Sequence, residues 1–113
     1  MSDDVKLTHT SALILQIISA GYRYGFDIMD ATGLPSGTVY PALGRLEDEG
    51  CVSSSWEDHR IAQREKRPPR RYYELTAAGD RALADALREY RALERTVRAR
   101  ARAATPQPAR NKS

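Results

Sequence analysis

The segment at residues 36–50, SGTVYPALGRLEDEG, limits the possible folds more than any other part of the chain. Its apolar residues recur at intervals of three and four, which predicts a helix with one buried side formed by Val39, Ala42, Leu43 and Leu46. Ser36 is predicted to cap the start of this helix, and Gly50 is predicted to end it in a left-handed conformation. Such a helix buries one side and leaves the other exposed.

The exposed side of this helix carries groups suited to contacting bases and phosphates. Pro41 has no N–H group and is tolerated near a helix start, so we expect the first turn to begin close to Gly37 or Thr38. The residues that we expect to contact DNA are Ser36, Thr38, Tyr40, Pro41 and Arg45. The alternative is an ordinary solvated helix surface, in which Arg45 could pair with Glu49, four residues on.

A first helix is predicted from the stretch SALILQIISAG, with Thr10 or Ser11 as its cap and Gly21 at its end. Its apolar stripe consists of Leu13, Ile14, Ile17 and Ile18. Leu15 lies off this stripe. It could face another subunit, although a crowded core would explain it equally well.

A second, short helix is predicted at residues 24–31, YGFDIMDA, with Phe26, Ile28 and Met29 available to the core. The turn at residues 32–35 contains glycine and proline and leads directly into the helix at residues 36–50. Two short helices joined by such a turn, the second exposing polar and aromatic groups at its start, are typical of a helix-turn-helix.

A β-hairpin is predicted after Gly50. The stretch CVSSSWE at residues 51–57 can place Val52 and Trp56 on one face of a strand, and RYYELT at residues 71–76 alternates as the returning strand. The connection between them is polar, basic and long for a hairpin, so we expect a loop with a mobile tip.

Residues 58–71 contain six cations against two acidic residues. We expect the cations to neutralise DNA phosphates, and they are Arg60, Arg64, Lys66, Arg67, Arg70 and Arg71. A solvated basic loop is the alternative. Arg67 is the strongest single candidate, because Pro68 and Pro69 stiffen the backbone beside it and reduce the entropy lost on binding.

A long helix is predicted over residues 77–104, capped by Thr76. Its apolar stripe consists of Leu83, Leu87, Tyr90, Leu93 and Val97. A helix of about 40 Å is longer than a core of this size can cover, so we expect this stripe to form a dimer interface rather than only to cover its own core. Residues 1–9 are interpreted as a lead-in, residues 10–76 as the DNA-binding domain and residues 105–113 as a disordered basic tail.

The composition excludes several classes of protein. The 113 residues are 41% hydrophobic and 29% charged, which fits one globular domain, and no apolar run approaches the roughly 20 residues of a membrane span. The N-terminus, with Asp3 and Asp4, lacks a secretory signal, so we expect a cytoplasmic protein. Cys51, His9 and His59 form neither a zinc spacing nor a catalytic set. We therefore expect no cofactor, no metal and no enzymatic activity.

Three stretches resemble the PadR family of bacterial transcriptional regulators: YGFDI at 24–28, SGTVYPALGRLEDEG at 36–50 and RPPRRYYELTAAG at 67–79. The second is the most specific, since Tyr-Pro inside the helix followed by Leu, Arg-Leu-Glu and a final Gly is an uncommon combination. The wing of this family is the β-hairpin with its connecting loop. The smaller family members, which carry one C-terminal helix after the wing, are the most similar. Residues 58–66 depart from the usual wing in being longer and more charged.

The resemblance implies a mainly α winged helix-turn-helix with a small β-hairpin. It also implies a homodimer that binds a palindromic operator, usually as a repressor, and that is joined through its C-terminal helix and often its first helix. In this chain the first helix would contribute Leu13, Ile14 and Ile17. We therefore predict a sequence-specific repressor whose partners are double-stranded DNA and a second copy of itself. The sequence shows no evident effector site, so the existence of an unidentified small-molecule effector stays open. The alternative is a dimeric adaptor of the same fold that binds protein, for which affinity would not depend on salt.

Overall fold

The computed structural model describes residues 7–104, which form five helices and a two-stranded antiparallel hairpin. In chain order the elements are α1 (His9–Ser19), α2 (Gly25–Thr32), α3 (Ser36–Asp48), β1 (Val52–Trp56), α4 (His59–Arg64), β2 (Arg71–Leu75) and α5 (Ala77–Ala104). The predicted basic tail and most of the predicted lead-in lie outside the described residues. The predicted fold, mainly α with a small hairpin and a long C-terminal helix, is confirmed.

Helix α1 begins earlier than the sequence predicted. The Thr8 hydroxyl accepts a hydrogen bond from the Ser11 N–H at 3.0 Å, so the cap is Thr8 and neither Thr10 nor Ser11. Leu15 is fully buried, whereas Leu13 is only partly buried. Of the two explanations for Leu15, the crowded core is therefore correct, because α1 is packed by α2, α3, β2 and α5 together and buries more than one side.

Helices α2 and α3 form the helix-turn-helix. Helix α2 ends at Gly33, whose φ of 74° lies in the left-handed region. The N-cap of α3 is Pro35, and Ser36 is already its first residue, so the prediction of a Ser36 cap was wrong. Pro41 therefore lies inside the helix, further from its start than expected. Its missing N–H leaves the carbonyl of Gly37 without the usual helical partner, and Gly37 is exposed where water can supply one.

Strands β1 and β2 form the predicted hairpin, in which Val52 pairs with Leu75 and Trp56 pairs with Arg71. Val52 is buried in the core, but Trp56, at the other end of the same strand, is 64% exposed. The hairpin therefore contacts the core at one end and projects from it at the other.

The connection between the strands contains helix α4, where the sequence predicted a loop with a mobile tip. The Asp58 carboxylate caps this helix by accepting a hydrogen bond from the Arg60 N–H at 2.8 Å, and the Ala62 side chain is buried. The sequence did not predict α4 because six residues with one buried side chain leave no periodic apolar pattern. The wing is thus partly helical.

The core is formed by α1, α2, α3, the base of the hairpin and the first turns of α5. The residues predicted for the buried side of α3 are all at 0% exposure, namely Val39, Ala42, Leu43 and Leu46. Thr76 caps α5 as predicted, because its hydroxyl accepts a hydrogen bond from the Gly79 N–H at 3.0 Å. Within residues 7–104, no helix combines the length and the apolar character of a membrane span.

Candidate nucleic-acid interface

The N-terminal half of α3 presents the side chains that the sequence singled out. Ser36, Tyr40, Pro41 and Arg45 are exposed, and Thr38 is partly exposed. Arg45 forms no ion pair within residues 7–104, so the proposed competing pair with Glu49 is absent there. This side of the helix therefore offers hydroxyl and guanidinium donors together with apolar ring surface.

Tyr40 is held against the start of α2. Its ring lies over Gly25, where a Cβ would overlap the Tyr40 hydroxyl group, and the side chain is still 47% exposed. The absence of a side chain at position 25 therefore sets the position from which Tyr40 projects.

Arg67 is committed to an ion pair within the wing. Its guanidinium donates two hydrogen bonds to the Glu57 carboxylate, from Nη1 to Oε1 at 2.6 Å and from Nη2 to Oε2 at 2.9 Å. Glu57 also accepts a hydrogen bond from the Arg70 N–H at 3.2 Å, and only 6% of its side chain is exposed. These hydrogen bonds, above all those from Arg67, lower the pKa of Glu57 from its ordinary value of 4.5 to about 2. The strongest candidate for a phosphate contact is thus already paired.

Arg70 and Arg71 are held by aromatic rings near the ends of the hairpin. The Arg70 guanidinium carbon lies 4.1 Å from the centre of the Tyr24 ring, and that of Arg71 lies 5.5 Å from the centre of the Trp56 ring. Arg71 also donates to the Ser54 hydroxyl, and its Nη2 lies 3.4 Å from the Glu47 carboxylate. The Arg70 guanidinium forms no ion pair with a carboxylate within residues 7–104.

Helix α4 and the residue pair after it carry the remaining wing cations. Arg60 is 85% exposed and lies 3.4 Å from the Asp58 carboxylate, a contact too exposed to hold it firmly. Arg64 and Lys66 are exposed and form no ion pair within the described range. Lys66 has a positive φ of 57°, so the chain turns sharply where α4 ends. Three cations are therefore displayed on the outside of the wing.

A groove of about 720 Å³ separates the helix-turn-helix from the wing, and we call it the wing groove. Five aromatic side chains line it: Tyr24, Phe26, Tyr40, Trp56 and Tyr73. Gly25, the prolines at 68 and 69 and the arginines at 67, 70 and 71 complete the lining, and no acidic side chain is among them. Phe26, which the sequence predicted for the core, is 73% exposed instead, because α2 is a short helix that points Ile28 inward. Helix α3 and the wing are thus adjacent across this groove.

The comparisons with known proteins agree with this geometry. The sequence model of the PadR-like family of transcriptional regulators matches residues 14–85, which is more than half of the chain. The chain belongs to the PadR-like family.

Several solved structures have the same fold. A PadR family transcription regulator from Clostridium difficile R20291 is 25% identical, with a TM-score of 0.72 over 80% of this chain and 96% of that one. A protein from Streptococcus mutans UA159 is 26% identical, with a TM-score of 0.71 over 88% and 92% of the two chains. A PadR-like transcription factor from Bacteroides fragilis is 27% identical, with a TM-score of 0.67 over 78% and 85%. A comparison with curated proteins gives no match.

Membership of the PadR-like family establishes a DNA-binding transcriptional regulator and agrees with the prediction that the chain is not an enzyme. Among the described residues, no group of three or more His, Cys, Asp or Glu side chains is arranged to hold a metal ion. Cys51 is fully buried, and burial raises the pKa of its thiol. It packs as a small apolar residue.

The residues expected at a dimer interface of this PadR-like chain separate into two groups. Ile14 is fully buried and Leu83 is 7% exposed in the core of the same chain, so these two pack internally instead of facing a partner. Leu13, Ile17 and Leu87 are partly buried, while Tyr90, Leu93 and Val97 are 40%, 58% and 56% exposed. Every residue of α5 from Arg88 to Ala103 is exposed. The apolar stripe of α5 thus leaves the core after Leu87.

Some features of the interface were not foreseen. The sequence predicts Glu57 only as the end of a strand, and no sequence pattern indicates that it pairs with Arg67, ten residues later. The aromatic lining of the wing groove comes from α2, α3 and both strands, so no single segment shows it. The one available signal was Gly25 beside Phe26, a glycine in a helical stretch, which often marks a close approach.

Proposed function

We propose that this chain is a homodimeric, sequence-specific repressor that acts on a palindromic operator in the cytoplasm. The observation that carries the proposal is the wing groove, which is lined both by Tyr40 of α3 and by wing residues such as Arg70. The polar end of α3 and the basic wing are therefore neighbours. A single DNA duplex can meet both when α3 enters the major groove.

In this proposal α3 reads base edges. Thr38 supplies a hydroxyl, Arg45 supplies an exposed guanidinium, and Tyr40 and Pro41 supply apolar surface for thymine methyl groups. Glu47 lies near the C-terminal end of the same helix and accepts a hydrogen bond from the Ser54 hydroxyl at 2.6 Å. That bond, together with the nearby Arg71, holds this carboxylate in the wing and reduces its repulsion of phosphate.

The wing contributes affinity more than sequence choice. Arg60, Arg64 and Lys66 are the exposed wing cations on and after α4 that we propose to neutralise phosphates, and each phosphate contact adds about 0.9 to the salt slope of binding. Arg67 has a different role in the proposal, because its charge is balanced by Glu57. It fixes the wing in the position from which α4 presents the other cations.

Dimerisation is proposed through the distal part of α5. This helix has 28 residues and is about 42 Å long, and the exposed side chains of Tyr90, Leu93 and Val97 continue its apolar stripe beyond Leu87. An exposed amphipathic helix is only marginally stable alone, so pairing with a second α5 supplies the missing burial. Leu13 and Ile17 of α1, both partly exposed, are proposed to add to this surface.

The experiment is a binding titration with duplex DNA from the region upstream of the chain's own gene, at several salt concentrations. We expect one dimer to bind two half-sites about one helical turn apart, with affinity that falls steeply with salt. Changing the spacing by about half a turn should abolish tight binding, because the two α3 helices then face different sides of the duplex. An affinity that changes neither with salt concentration nor with half-site spacing would favour the alternative function, a protein-binding adaptor.

A further inference from the structure

We propose that the outer side of α5 is a second DNA-binding surface, which contacts the phosphates of a duplex whatever its base sequence. The surface is a row of arginines that belongs neither to α3 nor to the wing, and we call it the arginine stripe. Its members are Arg88, Arg91, Arg95, Arg98 and Arg102.

The spacing of these arginines places them on one side of the helix. They follow one another at intervals of three, four, three and four residues, so they form a single row along α5. The row is about 21 Å long. All five arginines belong to the part of α5 that is exposed from Arg88 to Ala103.

The arginine stripe lies opposite the apolar stripe of α5. Arg88 comes two residues before Tyr90, and Arg95 comes two residues before Val97. Two residues correspond to about 200° of rotation around a helix. A second α5 packed on the apolar stripe would therefore leave the arginines uncovered, so the arginine stripe is accessible in a monomer and in such a dimer alike.

Few acidic side chains balance the charge of the arginine stripe. Arg88 pairs with Asp85, but the arginine side chain is still 67% exposed. Arg98 lies 3.1 Å from the Glu94 carboxylate and is 70% exposed. Pairs as exposed as these are weak, so a phosphate can replace the carboxylate. The other members form no ion pair within residues 7–104, namely Arg91, Arg95 and Arg102.

This arrangement is unfavourable for an isolated helix. Like charges three or four residues apart repel each other and destabilise a helix. The helix dipole favours cations only in the last turn, which accounts for Arg102 but not for Arg91 or Arg95. A row of charges that opposes helix formation is expected where binding to a partner compensates for it.

The partner that matches the arginine stripe is the phosphate backbone of duplex DNA. One DNA strand carries about six phosphates over about 21 Å. Every cation of α5 is an arginine, and a guanidinium can donate two hydrogen bonds to one phosphate. Ala92 and Ala99 flank the row, and their small side chains allow close approach but offer no group that reads a base. The surface therefore supplies affinity without sequence choice.

A membrane surface matches the arginine stripe less well. A basic amphipathic helix on a membrane buries its apolar side and keeps its cations at the level of the lipid headgroups. In α5 the arginines point away from the apolar side, so inserting Leu93 and Val97 would lift them off the headgroups.

The test measures binding to a duplex of random sequence over a range of salt concentrations. The triple variant Arg88→Gln, Arg95→Gln, Arg102→Gln removes charge and retains helix propensity. It should lower the magnitude of the slope of log affinity against log salt by about 0.9 for each arginine removed. Arg100→Gln is the matched control, because Arg100 lies about 140° around the helix from Arg95 and its loss should leave the slope almost unchanged.

Circular dichroism and sedimentation velocity check that the triple variant keeps the fold and association state of the wild type. If it does not fold, Arg95→Gln alone is measured, with an expected loss of about 0.9. An unchanged slope in the folded variant, or an equal loss per charge in Arg100→Gln, would overturn the proposal. So would binding to phosphatidylglycerol vesicles that needs these arginines while binding to DNA does not.

A capture experiment distinguishes the two sources of phosphate. The chain is bound to an immobilised duplex, and a second, labelled duplex is added. Capture that the triple variant loses would show that the arginine stripe holds a second duplex, whereas a change in slope without capture would place a flank of the same duplex on it. Both results support the proposal. Because the DNA has random sequence, failure of operator recognition or of repression would leave the outcome unaffected.

Discussion

Arg67 and Glu57 form a two-point ion pair across the wing, with Nη1–Oε1 and Nη2–Oε2 distances of 2.6 and 2.9 Å. From the sequence alone, Arg67 is predicted to be a free cation that contacts a phosphate group. Because it is paired with Glu57, Arg67 instead connects the end of β1 to the segment that leads into β2.

The first prediction distinguishes a structural role of Arg67 in the wing from a contact between Arg67 and phosphate. Arg67→Ala should weaken operator binding while leaving the slope of log affinity against log salt almost unchanged, because its charge is already balanced by Glu57. Arg64→Ala should lower the magnitude of that slope by about 0.9. Fluorescence anisotropy over a range of salt concentrations measures both. Equal loss of slope in the two variants would show that Arg67 contacts phosphate after all.

The second prediction concerns acid stability. The pKa of Glu57 is about 2 in the folded chain and 4.5 ordinarily, so the pair stabilises the fold above about pH 4.5 and this stabilisation is lost as the pH falls toward 2. The melting temperature of the wild type should therefore exceed that of Glu57→Gln at pH 7, and the gap should narrow below pH 4.5. Circular dichroism at each pH measures it. A gap that stays constant from pH 7 to pH 2.5 would contradict the pairing.

The third prediction tests the junction of α5 with the hairpin. A Cβ at Gly79 would overlap the carbonyl oxygen of Cys51, which is backbone and cannot swing away, so Gly79→Ala should destabilise the fold by about 1–3 kcal/mol. Gly44 is the matched control, because it lies inside α3 with open space around it. Gly44→Ala should stabilise by about 0.5–1 kcal/mol. Urea unfolding gives both values, and a neutral Gly79→Ala would refute the close contact.

The fourth prediction tests the interface on α5. Leu93→Asp should produce monomers and weaken operator binding by about 100-fold, since each half-site is then bound separately. Ala99→Asp adds the same charge to another side of the exposed part of the helix and should leave the dimer intact. Sedimentation velocity reports the association state. A wild-type chain that sediments as a monomer would eliminate the interface.

The fifth prediction concerns the contact between Gly25 and Tyr40. A methyl group at position 25 meets the far end of a flexible side chain, so Gly25→Ala should displace Tyr40 with little loss of stability. Its effect on operator binding should resemble that of Tyr40→Ala. In the double variant the two effects should not add, because both act through one ring. Additive losses would mean that Gly25 acts by another route.

Features whose cause is local could be predicted from the sequence. The buried side of α3 could be predicted from the spacing of its apolar residues. The role of Thr76 as the cap of α5 could be predicted from the residue pattern at a helix start. The cap of α1 was misplaced by two residues or more because Thr8, Thr10 and Ser11 all carry suitable hydroxyl groups and only the three-dimensional arrangement selects one. Phe26 was assigned to the core because a short helix fixes its inward side poorly.

Features that depend on distant contacts could not be predicted. The pairing of Glu57 with Arg67 requires the register of the hairpin and the turn that α4 introduces, and neither is written in the spacing of these residues. The wing groove is assembled from four segments. For the candidate site, the sequence therefore indicated which residue types face outward in α3, but not which wing cations are already neutralised.

The exposed length of α5 has a consequence for gene control. With Tyr90, Leu93 and Val97 uncovered in one chain, the dimer proposed above couples the ordering of this helix to protein concentration. At low expression most chains would be monomers, and each monomer would bind one half-site weakly. As copies accumulate, occupancy of the operator would rise with the square of their number, so a promoter controlled in this way would shut off over a narrow window of repressor abundance.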